Sequence, residues 1–331
     1  MNLSIELAPR HKQGLRLQNP VLAAAGPFGY GREYAKLAQL DRLGALVTRT
    51  TTLRPRRGRP QLRLVETPAG VLHDLGLPNP GVRTVIRELA PVWARGTLPV
   101  IVSVAATNPE ERAEEFAALA EWLDGVPGVA GLELNLAALP PAVEAPSRLT
   151  PRNGGRDGAS VGSIFADIPS LAEAVAAARS ATSLPLIAKL PPLGEIVALA
   201  EAVVASGADA VSLIAPLPGL HIDLRERQVL RGGLSGPAIR PLALRLVYEV
   251  AGAVEVPVIG IGGIATAEDA LQFLLAGASA VQVGSAIFAN PRAAVDIVEG
   301  IEAFLAREGL EDVRVLIGAA RPAHPAEDVA C

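Results

Sequence analysis

Eight short apolar runs, each followed by a stretch with helix signals, constrain this chain more than any other feature. The runs are Val21–Ala24, Ala45–Thr48, Pro99–Val104, Gly131–Asn135, Leu186–Leu190, Ala210–Ile214, Val258–Ile261 and Ala280–Val283. Each is too short for a helix and too uniformly apolar for a strand with one face in water. That is the pattern of parallel strands buried on both faces. Between the runs, Asn108-Pro109-Glu110-Glu111 reads as a cap, a proline at the first helical position and acids at the positive helix end. Phe116, Leu119 and Leu123 follow at helical spacing, and Thr266-Ala-Glu-Asp269 and Asn290-Pro291 open two further helices. Eight such alternations predict a closed (β/α)8 barrel of the α/β class, with its active site at the C-terminal strand ends. An open doubly wound sheet is the alternative, and it lacks a Gly-x-Gly-x-x-Gly after the first strand.

A barrel elaborated by long loops accounts for 331 residues as one domain spanning 1–331. Residues 4–17 read as a hairpin that plugs the lower end of the barrel. Residues 49–80 and 139–163 read as long loops at the active-site end, the second rich in Pro, Gly and Ser and either a lid or disordered. Residues 309–331 read as a C-terminal tail. A net charge of −4 without a long basic run argues against nucleic-acid binding. The N-terminus has no apolar stretch long enough for a signal peptide or membrane anchor, so a cytoplasmic location is expected. Cys331 is the one cysteine, which excludes an internal disulfide and any cysteine-ligated metal or iron–sulfur cluster within the chain; no metal site is expected.

The sharpest local signal is Pro257-Val-Ile-Gly-Ile-Gly-Gly-Ile264, followed by Ala280-Val-Gln-Val-Gly-Ser-Ala286. The seventh strand ends in Gly262-Gly263 and the eighth in Gly284-Ser285. Glycines let backbone N–H groups approach an anion, and barrel phosphate sites recur after these two strands. The other reading is that the glycines only make tight turns. Lys189 ends the fifth strand, in a chain whose other lysines are Lys12 and Lys36. A lysine there needs an anionic or electron-rich partner, or must snorkel outward or pair with a carboxylate. Asn135 ends the fourth strand, where it can meet a flat ring edge with donor and acceptor, or cap a turn.

These motifs resemble those of the dihydroorotate dehydrogenase family, nearest its soluble class 1 and the 1B catalytic subunit. The matching stretches are Asn19–Gly29, Gly44–Thr48 with Thr51–Leu53, Gly76-Leu-Pro-Asn-Pro-Gly81, Glu133-Leu-Asn135, Gly233–Ile239, Ile261–Gly263 and Gly277–Gly284. The resemblance implies a bound FMN, with Gly262, Gly263, Gly284, Ser285 and Gly236 at its phosphate. It further implies Lys189 and Asn135 beside the flavin, with Ala25, Thr50, Ser103 and Ile214 at other flavin contacts. Thr50 and Ser103 replace the family's usual glycine or serine and asparagine. It also implies a homodimer and an electron-transfer subunit carrying FAD and an iron–sulfur cluster.

The substrate half departs from the family. Where members carry Glu-Leu-Asn-(Ile/Leu)-Ser-Cys-Pro-Asn, this chain has Glu133-Leu-Asn-Leu-Ala-Ala-Leu-Pro140, so the catalytic cysteine is Ala138 and the final asparagine is Pro140. The usual lysine is Arg49, the asparagine before the substrate loop is His73, and the polar pair after strand six is Ala215-Pro216. Alanine is no base, and alanine and proline do not replace amide side chains. The resemblance places Arg49, His73, Leu75, Gly76, Leu77 and Asn135 at a small-molecule substrate. His73 and His221 are the candidate replacement bases, with Ser160 and Ser163 behind them. The sequence therefore points to an FMN oxidoreductase acting on a C–C bond of a small ring substrate other than dihydroorotate, or on dihydroorotate only weakly. The alternatives are a non-catalytic flavin-binding partner and a barrel that binds another phosphate compound.

Overall fold

The computed structural model describes residues 1–33, 39–60, 63–137, 167–192 and 194–322. Among the described residues there are fourteen strands: β1 Ile5–Glu6, β2 Arg16–Leu17, β3 Val21–Ala23, β4 Ala45–Val47, β5 Leu64–Thr67, β6 Gly70–His73, β7 Val100–Val104, β8 Gly131–Asn135, β9 Leu186–Lys189, β10 Ala210–Leu213, β11 Leu217–Ile222, β12 Val229–Ser235, β13 Val258–Ile261 and β14 Ala280–Val283. Eight of them close a parallel barrel in the order β10-β13-β14-β3-β4-β7-β8-β9. These are the eight apolar runs, with ends displaced by no more than one residue. Their outward side chains, such as Leu132, Leu134, Val281 and Val283, are buried. Helices such as Arg112–Leu123, Arg240–Ala251 and Ala293–Glu308 accompany the barrel.

β1 and β2 pair antiparallel, and Leu7, Leu15 and Leu17 are buried. Leu15 approaches Gly131, the first residue of β8, so the hairpin sits at the N-terminal end of the barrel as the sequence suggests. Residues 309–322 pack onto the body. Asn2 bridges Asp312, whose carboxylate caps a 3-10 turn with buried Val313 and Leu316. The proposed lid at 139–163 lies outside the described residues, as do Ala138, Ser160, Ser163 and Cys331.

Two expectations need correction. The stretch 49–80 is not merely a loop: β5 and β6 form a hairpin that joins β11 and β12 in a four-stranded antiparallel sheet, ordered β11-β12-β6-β5. Helix starts also shift. Asn108 caps a turn at Glu110, and the helix itself begins at Arg112; likewise Asn290 receives the Arg292 N–H and the helix begins at Ala293. In both cases the Asn-Pro pair supplies a turn with its own side-chain acceptor, which brings the chain to the helix without forming its first residue. Thr266 behaves as expected, closing a reciprocal capping box with Asp269 at the helix Ala267–Ala276. Among the described residues no helix is long and apolar enough to cross a membrane.

Candidate active site

Side chains alternate along each barrel strand, so only every second residue faces the interior. At the C-terminal mouth this alternation assembles a ring. In spatial order Ala25 follows β3, Arg49 and Thr50 follow β4, Ser103 lies in β7, Asn135 ends β8 and Lys189 ends β9. Ile214 follows β10 through a cis peptide bond, Gly262-Gly263 follow β13 and Gly284-Ser285 follow β14. Every barrel strand thus contributes a residue singled out in the sequence. On one side of the ring hydrogen bonds link three of them: Thr50 Oγ1 and Ser103 Oγ are 3.0 Å apart, and Asn135 Nδ2 donates to Thr50 Oγ1 at 3.3 Å. Asn135 and Lys189 are register partners on adjacent strands.

The glycine side of the ring is tightly built. Gly263 has φ +73°, and a Cβ there would lie 2.7 Å from Arg240 Cβ and 2.8 Å from the Gly236 carbonyl oxygen. Gly236 has φ +107°, and a Cβ on it would lie 2.6 Å from Gly70 Cα. The turns after β12 and β13 and the tip of the β5–β6 hairpin therefore meet backbone to backbone. Arg240 also pairs with the buried carboxylate of Asp269 beside this junction. Among the described residues the N–H groups of Gly263, Gly284 and Ser285 have no protein acceptor. Steric need explains Gly263 and Gly236, so the tight-turn reading holds for them. It does not explain Gly284, where a Cβ would meet only Ala24 at an ordinary 3.6 Å. Unpaired backbone donors at the ends of two neighbouring strands are what an anion requires.

Lys189 is almost buried, with its Nζ 3.6 Å from Glu133 Oε1. Glu133 is wholly enclosed, and its Oε2 accepts from Ser212 Oγ at 3.1 Å and from Gln282 Nε2 at 2.8 Å. β8 and β14 stand opposite each other in the ring, so the Glu133–Gln282 bond crosses the barrel. Sequence reasoning missed Glu133, Ser212 and Gln282 as a group. The available signal was the one that exposed Lys189, a polar residue inside an apolar strand.

Of the positions assigned to substrate, Leu75, Gly76 and Leu77 lie in a loop braced by its own neighbours. Gly76 N–H donates to Asp74, which pairs with Arg59 at 3.1 Å, and Arg56 Nε donates to the Gly76 carbonyl. Leu77 holds φ +54°, and Asn79 braces the loop by donating to the Leu77 carbonyl and to Thr52 Oγ1. Leu75 lies between these anchors, its carbonyl accepting from Arg59 N–H at 2.9 Å. His73 stands opposite Gly233 in the sheet, and a Cβ on Gly233 would lie 2.5 Å from Pro216 Cβ. His73 and Pro216 therefore share one face. Burial pushes the His73 imidazole below its ordinary value, and its Nε2 is 3.3 Å from Ser235 Oγ. His221, paired with Leu230, points to the opposite face, so the two histidines are not brought together.

Arg49 is half-buried and makes no ion pair among the described residues. Its carbonyl receives Thr51 Oγ1 at 3.3 Å, and that hydroxyl is 3.1 Å from the Tyr30 hydroxyl. Burial raises the Tyr30 phenol to about 12.

The sequence profile described as dihydroorotate dehydrogenase matches residues 10–305. The chain belongs to the dihydroorotate dehydrogenase family. It is 46% identical over 324 residues to the dihydroorotate dehydrogenase B (NAD(+)) catalytic subunit of Geotalea uraniireducens, covering 96% of this chain and 98% of that protein. The subunit of the same name from Pelobacter propionicus is 47% identical over 312 residues, covering 92% and 96%. That from Desulforudis audaxviator is 47% identical over 313 residues, covering 93% and 95%. Membership makes this an oxidoreductase-family barrel and implies a flavin, whose phosphate the unpaired N–H groups of Gly263, Gly284 and Ser285 suit.

Proposed function

We propose that this chain holds FMN across the C-terminal mouth and serves as an oxidoreductase for a small, carboxylate-bearing ring substrate other than dihydroorotate. The observation that carries the reading is the ring of strand ends, one residue from each of the eight barrel strands, together with the N–H groups of Gly263, Gly284 and Ser285, which lack protein acceptors among the described residues. In the proposal Gly236, Gly262, Gly263, Gly284 and Ser285 hold the phosphate. Thr50, Ser103, Asn135 and Lys189 line the flavin ring, and Ala25 and Ile214 supply small and apolar contacts. When bound, FMN supplies two-electron acceptance. Lys189 offers a cation to the ring edge on which charge accumulates at reduction.

The chain's own groups must then bind and orient the substrate and take its proton. Arg49 offers a guanidinium free to engage a carboxylate with two parallel hydrogen bonds. His73, neutral near pH 7 because burial disfavours its charge, is the candidate base, oriented by Ser235. Pro216 and Ala215 give an apolar border where an imide edge would go unsatisfied. That border, together with alanine at position 138, supports a substrate other than dihydroorotate. Loss of the family base also favours a second reading, a flavin-binding paralogue without turnover. The relatives named as catalytic subunits support an electron-transfer partner, for which an FAD and iron–sulfur subunit is proposed, with this chain as a homodimer.

The test begins with the absorption spectrum of the purified protein and the flavin released on denaturation. Stoichiometric FMN is expected, and a colourless protein that takes up no added FMN refutes the reading. Dihydroorotate should not reduce the bound flavin at enzyme-like rates, and rapid reduction would refute the altered substrate. Failure of a broad panel of cyclic carboxylates to reduce or oxidise it would favour the non-catalytic reading.

A further inference from the structure

Glu133 has no place in the binding or proton-transfer roles above, yet it is the most completely enclosed charged side chain near the mouth. It lies two residues below Asn135 on β8, so both face the interior, one pleat apart. Its partners come from three other barrel strands: Lys189 on β9, Ser212 on β10 and Gln282 on β14. Both hydrogen-bond donors fall on Oε2. Oε1 is buried with no hydrogen bond, and the group facing it is the Lys189 ammonium at 3.6 Å. An ammonium carries three donors, so this one long contact leaves Lys189 free to engage a second acceptor.

We propose that Glu133 is a positioning residue that holds Lys189 from below and offsets its charge, setting how strongly that lysine favours a reduced flavin. The inference rests on the FMN reading above. The lysine's stem rises from the end of β9, and the carboxylate holds its head 3.6 Å from Oε1. Ser212 and Gln282 fix the carboxylate in turn, the latter from across the barrel. A flavin above would meet an ion pair rather than an isolated cation. Lys189 alone would stabilise negative charge on the reduced ring, whereas paired with Glu133 it does so less. The oxidised and reduced forms are thereby balanced by a side chain that touches neither.

The experiment measures the reduction potential of the FMN-loaded protein, by equilibration with a reference dye during xanthine oxidase reduction, for wild type, Glu133→Gln and Lys189→Gln. Glu133→Gln keeps the shape and the Ser212 contact while removing the charge. It should favour reduced flavin at least tenfold, about 30 mV more positive for a two-electron couple. In the Lys189→Gln background the same substitution should shift the ratio less than threefold, since its effect runs through the lysine. A Glu133→Gln protein that retains FMN and matches the wild-type potential within twofold overturns the proposal. So does a shift of equal size with and without Lys189. If Glu133→Gln does not fold, Glu133→Asp decides: it keeps the charge but withdraws it, and should favour reduced flavin about threefold. An unchanged potential there overturns the proposal. Wild-type protein that takes up no FMN fails at the earlier step and removes the flavin reading itself.

Discussion

Replacing Gly263 by alanine tests the glycine junction most directly. Gly263 sits at φ +73°, a conformation that costs an L-residue about 1–2 kcal/mol. Its new methyl would also lie 2.7 Å from Arg240 Cβ, 2.8 Å from the Gly236 oxygen and 3.0 Å from the Arg240 nitrogen. Two of those three atoms are backbone and cannot rotate away. Overpacking of this kind costs about 1–3 kcal/mol more. The expected loss is about 2–5 kcal/mol. Gly125 provides the internal control, with φ +66° and nothing within 4 Å of its Cβ position. Gly125→Ala should therefore lose only the conformational part, about 1–2 kcal/mol. Urea denaturation of both variants in flavin-free form separates the two contributions. A Gly263→Ala protein no less stable than Gly125→Ala would show that the junction yields, and the steric account of the cradle would be wrong.

Lys189→Met leaves the enclosed Glu133 carboxylate facing an apolar group, and should cost about 3–5 kcal/mol in urea denaturation. Adding Glu133→Gln should recover at least half of that loss. The depressed His73 value has a definite sign. Well above pH 6.5 both folded and unfolded imidazoles are neutral, and His73 contributes no pH dependence. As pH falls below that, the unfolded chain takes up the proton first, so folded stability declines until the lowered folded value is passed. His73→Asn should thus lose less stability than wild type between pH 7.5 and pH 5, measured by denaturant midpoint; equal losses would contradict the assignment. Thr266→Ala removes one half of the capping box and should cost about 1 kcal/mol by the same measurement.

The barrel was legible because its strands are buried on both sides, which makes them near-continuous apolar runs. Val258–Ile261 and Gly131–Asn135 emerge with the very bounds their composition suggests. The antiparallel sheet was not legible, and β11 shows why. Leu217-Pro-Gly-Leu-His-Ile222 carries a proline and a glycine in the strand and alternates between half-buried and exposed residues. Both features read as loop until a partner is known. Gly232 and Gly233 in β12 carry no strand signal of their own, but the His73 carbonyl and Pro216 leave no room there for a side chain.

Within the site, Lys189 and Asn135 stood out because they end apolar runs. Glu133 and Gln282 carry the same kind of signal, yet they are 149 positions apart in sequence. A polar residue in a strand announces that it must be satisfied. Only closure of the barrel says by whom.

The junction of Gly236, Gly263 and Gly70 has a consequence for how such a chain can diverge. The part of the mouth that would hold the cofactor's phosphate is made largely of main-chain atoms, shared by every sequence that can adopt these turns. The half assigned to substrate is made of side chains, such as Arg49, His73 and Pro216, each replaceable by a single codon. Drift therefore erodes one half freely while any change at the glycines threatens the fold itself. A lineage released from its ancestral substrate would keep its grip on the cofactor long after forgetting what it once worked on, and would be ready to acquire something new.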